Sequence, residues 1–193
     1  MPRIAILDAH PGAGRFCTAL ADSYATAAQE AGADIRRIVL RDMAFDPILH
    51  NGYAQVQPLE PDLESAFEAI EWCDHFALFY PTWWGGHPAL LQGFFERTFL
   101  PGTAFKYHEN DPFWDKLLKG RTAEAITTMD TPALYYRIMN RNAGPNRMKR
   151  TILEFTGMKA KVRLIGSLRN TSEDQRKALL TWAGKRGAAK GAS

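Results

Sequence analysis

FALFYPTWWGGHPALLQGFFERTFLPGTAF, from Phe76 to Phe105, reads as a strand, a turn and a covering helix. Phe76 to Tyr80 is an unbroken apolar run, too short for a helix and bounded by a proline, which predicts a buried strand. Pro81 is expected to stop that strand, because it has no amide proton for the next ladder bond. Trp83, Trp84, Gly85 and Gly86 then make a turn. A helix is expected from Pro88, since proline is preset for a first helical position. Leu90, Leu91, Phe94, Phe95 and Phe99 share one helical face, and Pro101 and Gly102 end it. In open α/β sheets such a turn lies outside the carboxyl end of a strand, where ligands bind. Two indoles beside two glycines suit a flat ligand lying against backbone; the alternative is that the indoles plug the core.

Outward from this unit the pattern repeats. Arg3 to Ala9 reads as a first strand, Arg15 or Phe16 to Ala31 as an alanine-rich helix closed by Gly32, and Ile35 to Leu40 as a second strand. Asp42 to Pro61 is a polar connection without a period, and Leu63 to Trp72 fits a helix. The third strand spans His75 to Pro81, and Lys106 to Lys119 is an irregular excursion. Thr122 to Thr128 makes a fourth strand. Thr131 to Asn146 reads as loop, Met148 to Phe155 as a short helix, and Lys161 to Leu168 as a fifth strand. Ser172 to Arg186 is the last helix, with Ser172 and Gln175 spaced as a capping box. Five strands alternating with helices predict an α/β, doubly wound, five-stranded parallel sheet of flavodoxin-like order 2-1-3-4-5. Residues 1–187 are expected to form a single domain, with 188–193 a frayed tail.

Composition narrows the function. The chain has 193 residues with a formal net charge of +3. This mild basic balance suits an anionic small molecule and, lacking a clustered basic face, not nucleic acid. There is no apolar stretch of about 18 residues, hence no expected membrane insertion. Cys17 and Cys73 form no redox or metal pair, which predicts a reduced, cytoplasmic location. The five histidines show no metal-ligand spacing, so the expected metal content is none.

The turns after strands one, three and four share one sheet edge. The first carries His10, Gly12, Gly14, Arg15 and Thr18, with no acid from Ala9 to Ala21, at the start of a helix. That pattern suits an anion cradle, although a plain tight turn reads the same way. The turn after strand four offers Thr127, Thr128, Tyr135 and Tyr136 as hydrogen-bonding groups, with strand-end packing as their alternative.

Ala9-His10-Pro11, followed by Pro81, Trp84, Pro88-Ala89-Leu90-Leu91, Gly93-Phe94-Phe95-Glu96-Arg97 and Phe99, resembles the NAD(P)H:quinone oxidoreductase family of flavoproteins. It is also similar to the small bacterial modulator-of-drug-activity and general-stress flavoproteins, and to ancillary oxidoreductases of potassium efflux systems. The resemblance implies FMN, with FAD as the alternative, and NADPH or NADH as hydride donor. It implies ping-pong hydride transfer to a quinone-like small molecule, and a homodimer with shared sites. His10, Arg15, Phe16 and Cys17 fall where the family meets the flavin phosphate and ribityl chain. Pro81, Thr82, Trp83, Trp84 and Gly85 fall where it meets the ring system, as do the paired Thr127 and Thr128. Tyr135 matches a tyrosine bonded to the pyrimidine edge. Phe105 and Tyr107, with Trp84, match the substrate pocket of the neighbouring subunit. The family's paired glycines after the threonines are Met129 and Asp130 here, and its catalytic histidine is Arg141. The expected catalytic pair is therefore Tyr135 and Arg141, the arginine stabilising reduced flavin or binding a phosphate of the nicotinamide cofactor. A regulatory flavoprotein subunit of a membrane transport system and a flavodoxin-type electron carrier are the alternative functions.

Overall fold

The apolar run at Phe76 becomes the middle of the sheet because every residue of its strand is covered on both faces. In the computed structural model, which describes all 193 residues, β3 (His75–Pro81) is buried at each position. It lies between β1 (Arg3–Asp8) and β6 (Thr122–Thr128); β2 (Asp34–Val39) and β7 (Lys159–Ile165) form the edges. The order β2-β1-β3-β6-β7 is parallel throughout and has the expected 2-1-3-4-5 pattern. Helices α1 (Phe16–Glu30) and α6 (Glu173–Gly191) cover one face; α2 (Pro61–Trp72) and α3 (Ala89–Thr98) cover the other.

The α1–α6 contact is backbone on backbone. A methyl group at Gly187 would stand 2.0 Å from the Tyr24 carbonyl oxygen. Small residues at this seam let α6 approach closely enough for Arg186 to reach buried Glu124, at 2.8 and 2.9 Å from its Nε. Ser172 and Gln175 form the predicted capping box. The helix then runs to Gly191 instead of ending at Arg186, so the tail expected to fray at 188–193 is helical up to that residue. Packing of Gly187 and Gly191 on α1 overrides their low helix propensity.

Other boundaries shift for local reasons. Pro81 is the last residue of β3, opposite Thr128, and not the residue that follows it. Proline tolerates a strand end. Pro88 is the N-cap of α3 and not its first residue. The Lys106–Lys119 excursion contains a hairpin, β4 (Phe105–Tyr107) against β5 (Trp114–Lys116), held where Trp114 stacks on Phe155 at 4.5 Å. The stretch expected as loop holds α4 (Ala133–Met139) and α5 (Ala143–Asn146), which leads into a π-helical segment, Arg147–Leu153.

Burial of β3 has one electrostatic consequence. His75 is pushed down to about 3 by burial, reinforced by Lys190 and Arg186, and shares a hydrogen bond with Thr122 at 2.7 Å. It stays neutral in the fold, whereas the unfolded chain protonates it near 6.5. The unfolded state therefore binds more protons between those values, and stability falls as pH falls through 6.5. We expect about 1 kcal/mol lost from pH 6.5 to 5.5 through this residue. Urea unfolding of His75→Gln should show that part of the slope removed; an unchanged slope would contradict the assignment.

Candidate functional site

Four strands end at one cleft of about 420 Å³. The turn after β1 contributes His10, Gly14, Arg15, Phe16 and Cys17; the turn after β3 contributes Pro81, Thr82 and Trp83. Thr128, Met129 and Asp130 line it after β6, and Leu168 and Arg176 close the side beyond β7.

Helix α1 opens into this cleft uncapped. Arg15 is its N-cap in extended conformation, no side chain caps the first turn, and no acid sits there. The first N–H groups of a helix have no intrahelical partner and carry the positive end of its dipole. Arg15 and Arg176 add charge, and Arg176 is fixed by a bond to the Leu168 carbonyl at 3.0 Å and by stacking over Phe16 at 5.1 Å. Asp130 is the one acid in the lining. Asp8, fully buried at the end of β1, is paired with Arg41 at 2.7 Å and accepts the His10 backbone N–H at 3.2 Å. Burial holds His10 below the usual histidine range, against the opposing pull of Gly12 and Asp8. Its Nδ1 accepts the Gly12 N–H at 2.9 Å, so the neutral ring carries its proton on Nε2. The Thr18 hydroxyl is buried without a partner.

The aromatic turn is a two-residue hairpin. Trp83 and Gly86 exchange backbone bonds at 2.9 Å in both directions, with Trp84 at φ 51° and Gly85 at φ 79°. Both central residues at positive φ define a type I′ turn. A left-handed tryptophan costs on the order of 1–2 kcal/mol. The N–H groups of Trp84 and Gly85 meet no acceptor in the chain. Trp84 is fully exposed and Trp83 is 47% exposed, edge-on to His10 at 5.8 Å, so neither indole plugs the core.

The residues named from sequence divide into two groups. His10, Arg15, Phe16, Cys17, Pro81, Thr82, Trp83 and Thr128 line the cleft; Trp84, Gly85, Thr127, Tyr135, Arg141, Phe105 and Tyr107 do not. Thr127 sits on the other face of β6, fully buried, and bonds the Thr82 hydroxyl at 2.7 Å. Cys17 is buried, and desolvation raises its thiol far above the usual range, which removes it as a nucleophile. Tyr135 and Arg141 stand in solvent on and after α4. Phe105 and Tyr107 line a separate groove with Phe95, Phe99 and Phe155. Sequence reasoning named Met129 and Asp130 only as departures from the family's glycines, and passed over Leu168 and Arg176 as site residues. Met129 and Asp130 keep negative φ, so this loop needs no glycine at either position. Leu168 and Arg176 follow the fifth strand, whose carboxyl end points the same way as the others.

The chain matches the model of the Flavodoxin-like fold family over residues 2–183. It is 26% identical over 191 residues to an uncharacterized NAD(P)H oxidoreductase of Haemophilus influenzae, covering 96% of this chain and 94% of that protein. It is 27% identical over 157 residues to NAD(P)H dehydrogenase (quinone) 1 of Cavia porcellus, covering 69% of this chain and 55% of that one. The NAD(P)H:quinone oxidoreductase from Methanothermobacter marburgensis shares the fold, with a TM-score of 0.78, 24% identity and 96% of each chain covered.

Proposed function

From the premise that this chain belongs to the Flavodoxin-like fold family, we propose that it is a flavin-dependent NAD(P)H oxidoreductase that reduces quinones or related small acceptors by ping-pong hydride transfer. The observation that carries this is the uncapped N-terminus of α1 opening, beside Arg15 and Arg176, into a cleft walled by an aromatic turn. The relative from Haemophilus influenzae, named as an NAD(P)H oxidoreductase and matched over nearly its whole length, supports the activity class.

The residues present fit FMN, with FAD as the alternative. One phosphate suits the N–H groups of Phe16, Cys17 and Thr18 together with the Arg15 guanidinium. Gly14 has nothing within 4 Å of where a Cβ would stand, which leaves approach to the backbone open. At Gly12 a Cβ would come within 3.3 Å of the Arg15 guanidinium and into ordinary contact with His10 at 3.6 Å, so a side chain there would press on Arg15. Thr82, Trp83 and Thr128 would meet the ring system and the ribityl chain, and the free N–H groups of Trp84 and Gly85 would donate at its edge. A bound flavin supplies the group that accepts hydride from NADPH or NADH and passes it on. The chain's part is to hold that ring, exclude water with Trp83 and Met129, and place Arg15 and Arg176 near its negative charge. Tyr135 and Arg141 would add a hydrogen bond and a positive charge once their side chains turn in from solvent.

The same reading includes a cytoplasmic homodimer. A second copy would cover Trp84, Leu134, Ile138 and Met139, which all stand more than 60% exposed on α4 and the aromatic turn. Phe105 is buried in its own chain and backs Tyr107 edge-on at 5.1 Å, so Tyr107 alone would reach a partner's pocket. FMN-loaded protein should oxidise NADPH or NADH faster when a soluble benzoquinone is added. Loaded protein that oxidises neither, with or without the quinone, contradicts the proposal.

A further inference from the structure

Three of the four non-glycine residues at positive φ in this chain lie in the two segments that one buried hydroxyl joins. Trp84 (φ 51°) lies in the turn after β3; Arg141 (φ 48°) and Asn142 (φ 55°) join α4 to α5. Between these segments, Tyr136 Oη donates to the Gly85 carbonyl at 2.6 Å and accepts the Gly144 N–H at 2.9 Å. Tyr136 is only 3% exposed, whereas its neighbour Tyr135 is 56% exposed. A methyl group at Gly144 would stand 2.5 Å from the Gly85 oxygen and 2.8 Å from Tyr136 Oη. Two loops from different strand ends thus meet backbone to backbone, with no room for a side chain.

Strained backbone persists only where the surroundings over-determine it, and it gathers at functional sites. Here the surroundings of the Trp84–Gly85 turn include that single phenol. The turn holds the fully exposed indole and two N–H groups without an acceptor in the chain. We infer that Tyr136, not Tyr135, is a positioning residue. Its hydroxyl latches the loop after β6 to the aromatic turn and fixes where those N–H groups and the Trp84 indole stand against the bound ring. This inference rests on the proposed flavin function, which gives the turn its ligand. Tyr136 itself acts through the turn and does not touch the ligand.

Tyr136→Phe keeps the ring in place and removes both bonds. In flavin-free protein, hydrogen exchange at the Gly144, Trp83 and Gly86 amides should accelerate about tenfold, the size of one lost buried hydrogen bond. In FMN-loaded protein, FMN affinity should fall about tenfold and the visible band of the bound flavin should shift. Gly144→Ala reaches the same junction from the other side, pressing on the Gly85 carbonyl and Tyr136 Oη while leaving the phenol's own chemistry unchanged, and should give both results. Unchanged exchange at Trp83 and Gly86 in both variants overturns the latch. Faster exchange with wild-type affinity and spectrum overturns the positioning role while the flavin proposal stands. A wild-type protein that binds no FMN overturns the flavin proposal and the positioning role together, even if the exchange result shows the latch.

Discussion

Arg97→Leu should cost about 3 kcal/mol of stability, because it removes charge-assisted hydrogen bonds to Glu60, itself only part-buried, and to two carbonyls. Arg97 sits near the end of α3 with no exposed surface. Its guanidinium binds Glu60 through two atoms, at 2.8 and 3.2 Å, and donates to the Pro58 carbonyl at 2.8 Å and to the Asp46 carbonyl. Glu60 in turn accepts the Asp46 N–H at 3.0 Å. One side chain therefore fastens the long connection before α2 to the middle of the protein. Leucine would fill the volume but leave two carbonyls and a carboxylate without their donor. For a chain of this size the loss corresponds to a melting point roughly 10 °C lower. A melting point within about 2 °C of wild type would show that the connection is held by other contacts, chiefly Pro47 against Gly93, where a Cβ would meet Pro47 at 2.5 Å.

Arg15→Glu should lower FMN affinity about a hundredfold, near 3 kcal/mol, through loss of a charge-assisted contact and a new repulsion. Stability should not fall with it. Arg15 is exposed and pairs with no acid, and an acidic residue at a helix start interacts favourably with the dipole. Riboflavin, which lacks the phosphate, should bind the variant nearly as well as it binds wild type. Equal losses for FMN and riboflavin would place the ligand's phosphate away from α1.

The strands were legible where the chain is buried on both sides, because covered parallel strands are apolar without a break. Phe76 to Tyr80 and Arg3 to Ala9 are read this way, within a residue or two of β3 and β1. Helix α4 was illegible for the opposite reason. Only Tyr136 in it is buried, and Leu134 and Ile138 face solvent, so it has no core stripe to give a period. The β4–β5 hairpin has three residues to a strand and depends on Trp114 against Phe155, far away in sequence.

The site was legible where glycines and aromatics follow strands one and three. It was not legible after strand five, where Leu168 and Arg176 carry no motif of their own. Nor could sequence separate adjacent tyrosines. Which one turns inward depends on Gly144 meeting Gly85, a contact between segments more than 50 residues apart. Two residues of the long motif in α3 turn out to be architecture: Gly93 admits Pro47, and Arg97 holds Glu60.

The most direct test of the central claim is a fluorescence titration of FMN with the flavin-free protein. We predict saturable quenching at one FMN per chain, since the cleft brings an indole and a phosphate cradle to the same ligand. FMN and FAD fluorescence both unchanged at saturating protein, with the melting point of the protein unmoved by either flavin, would contradict it.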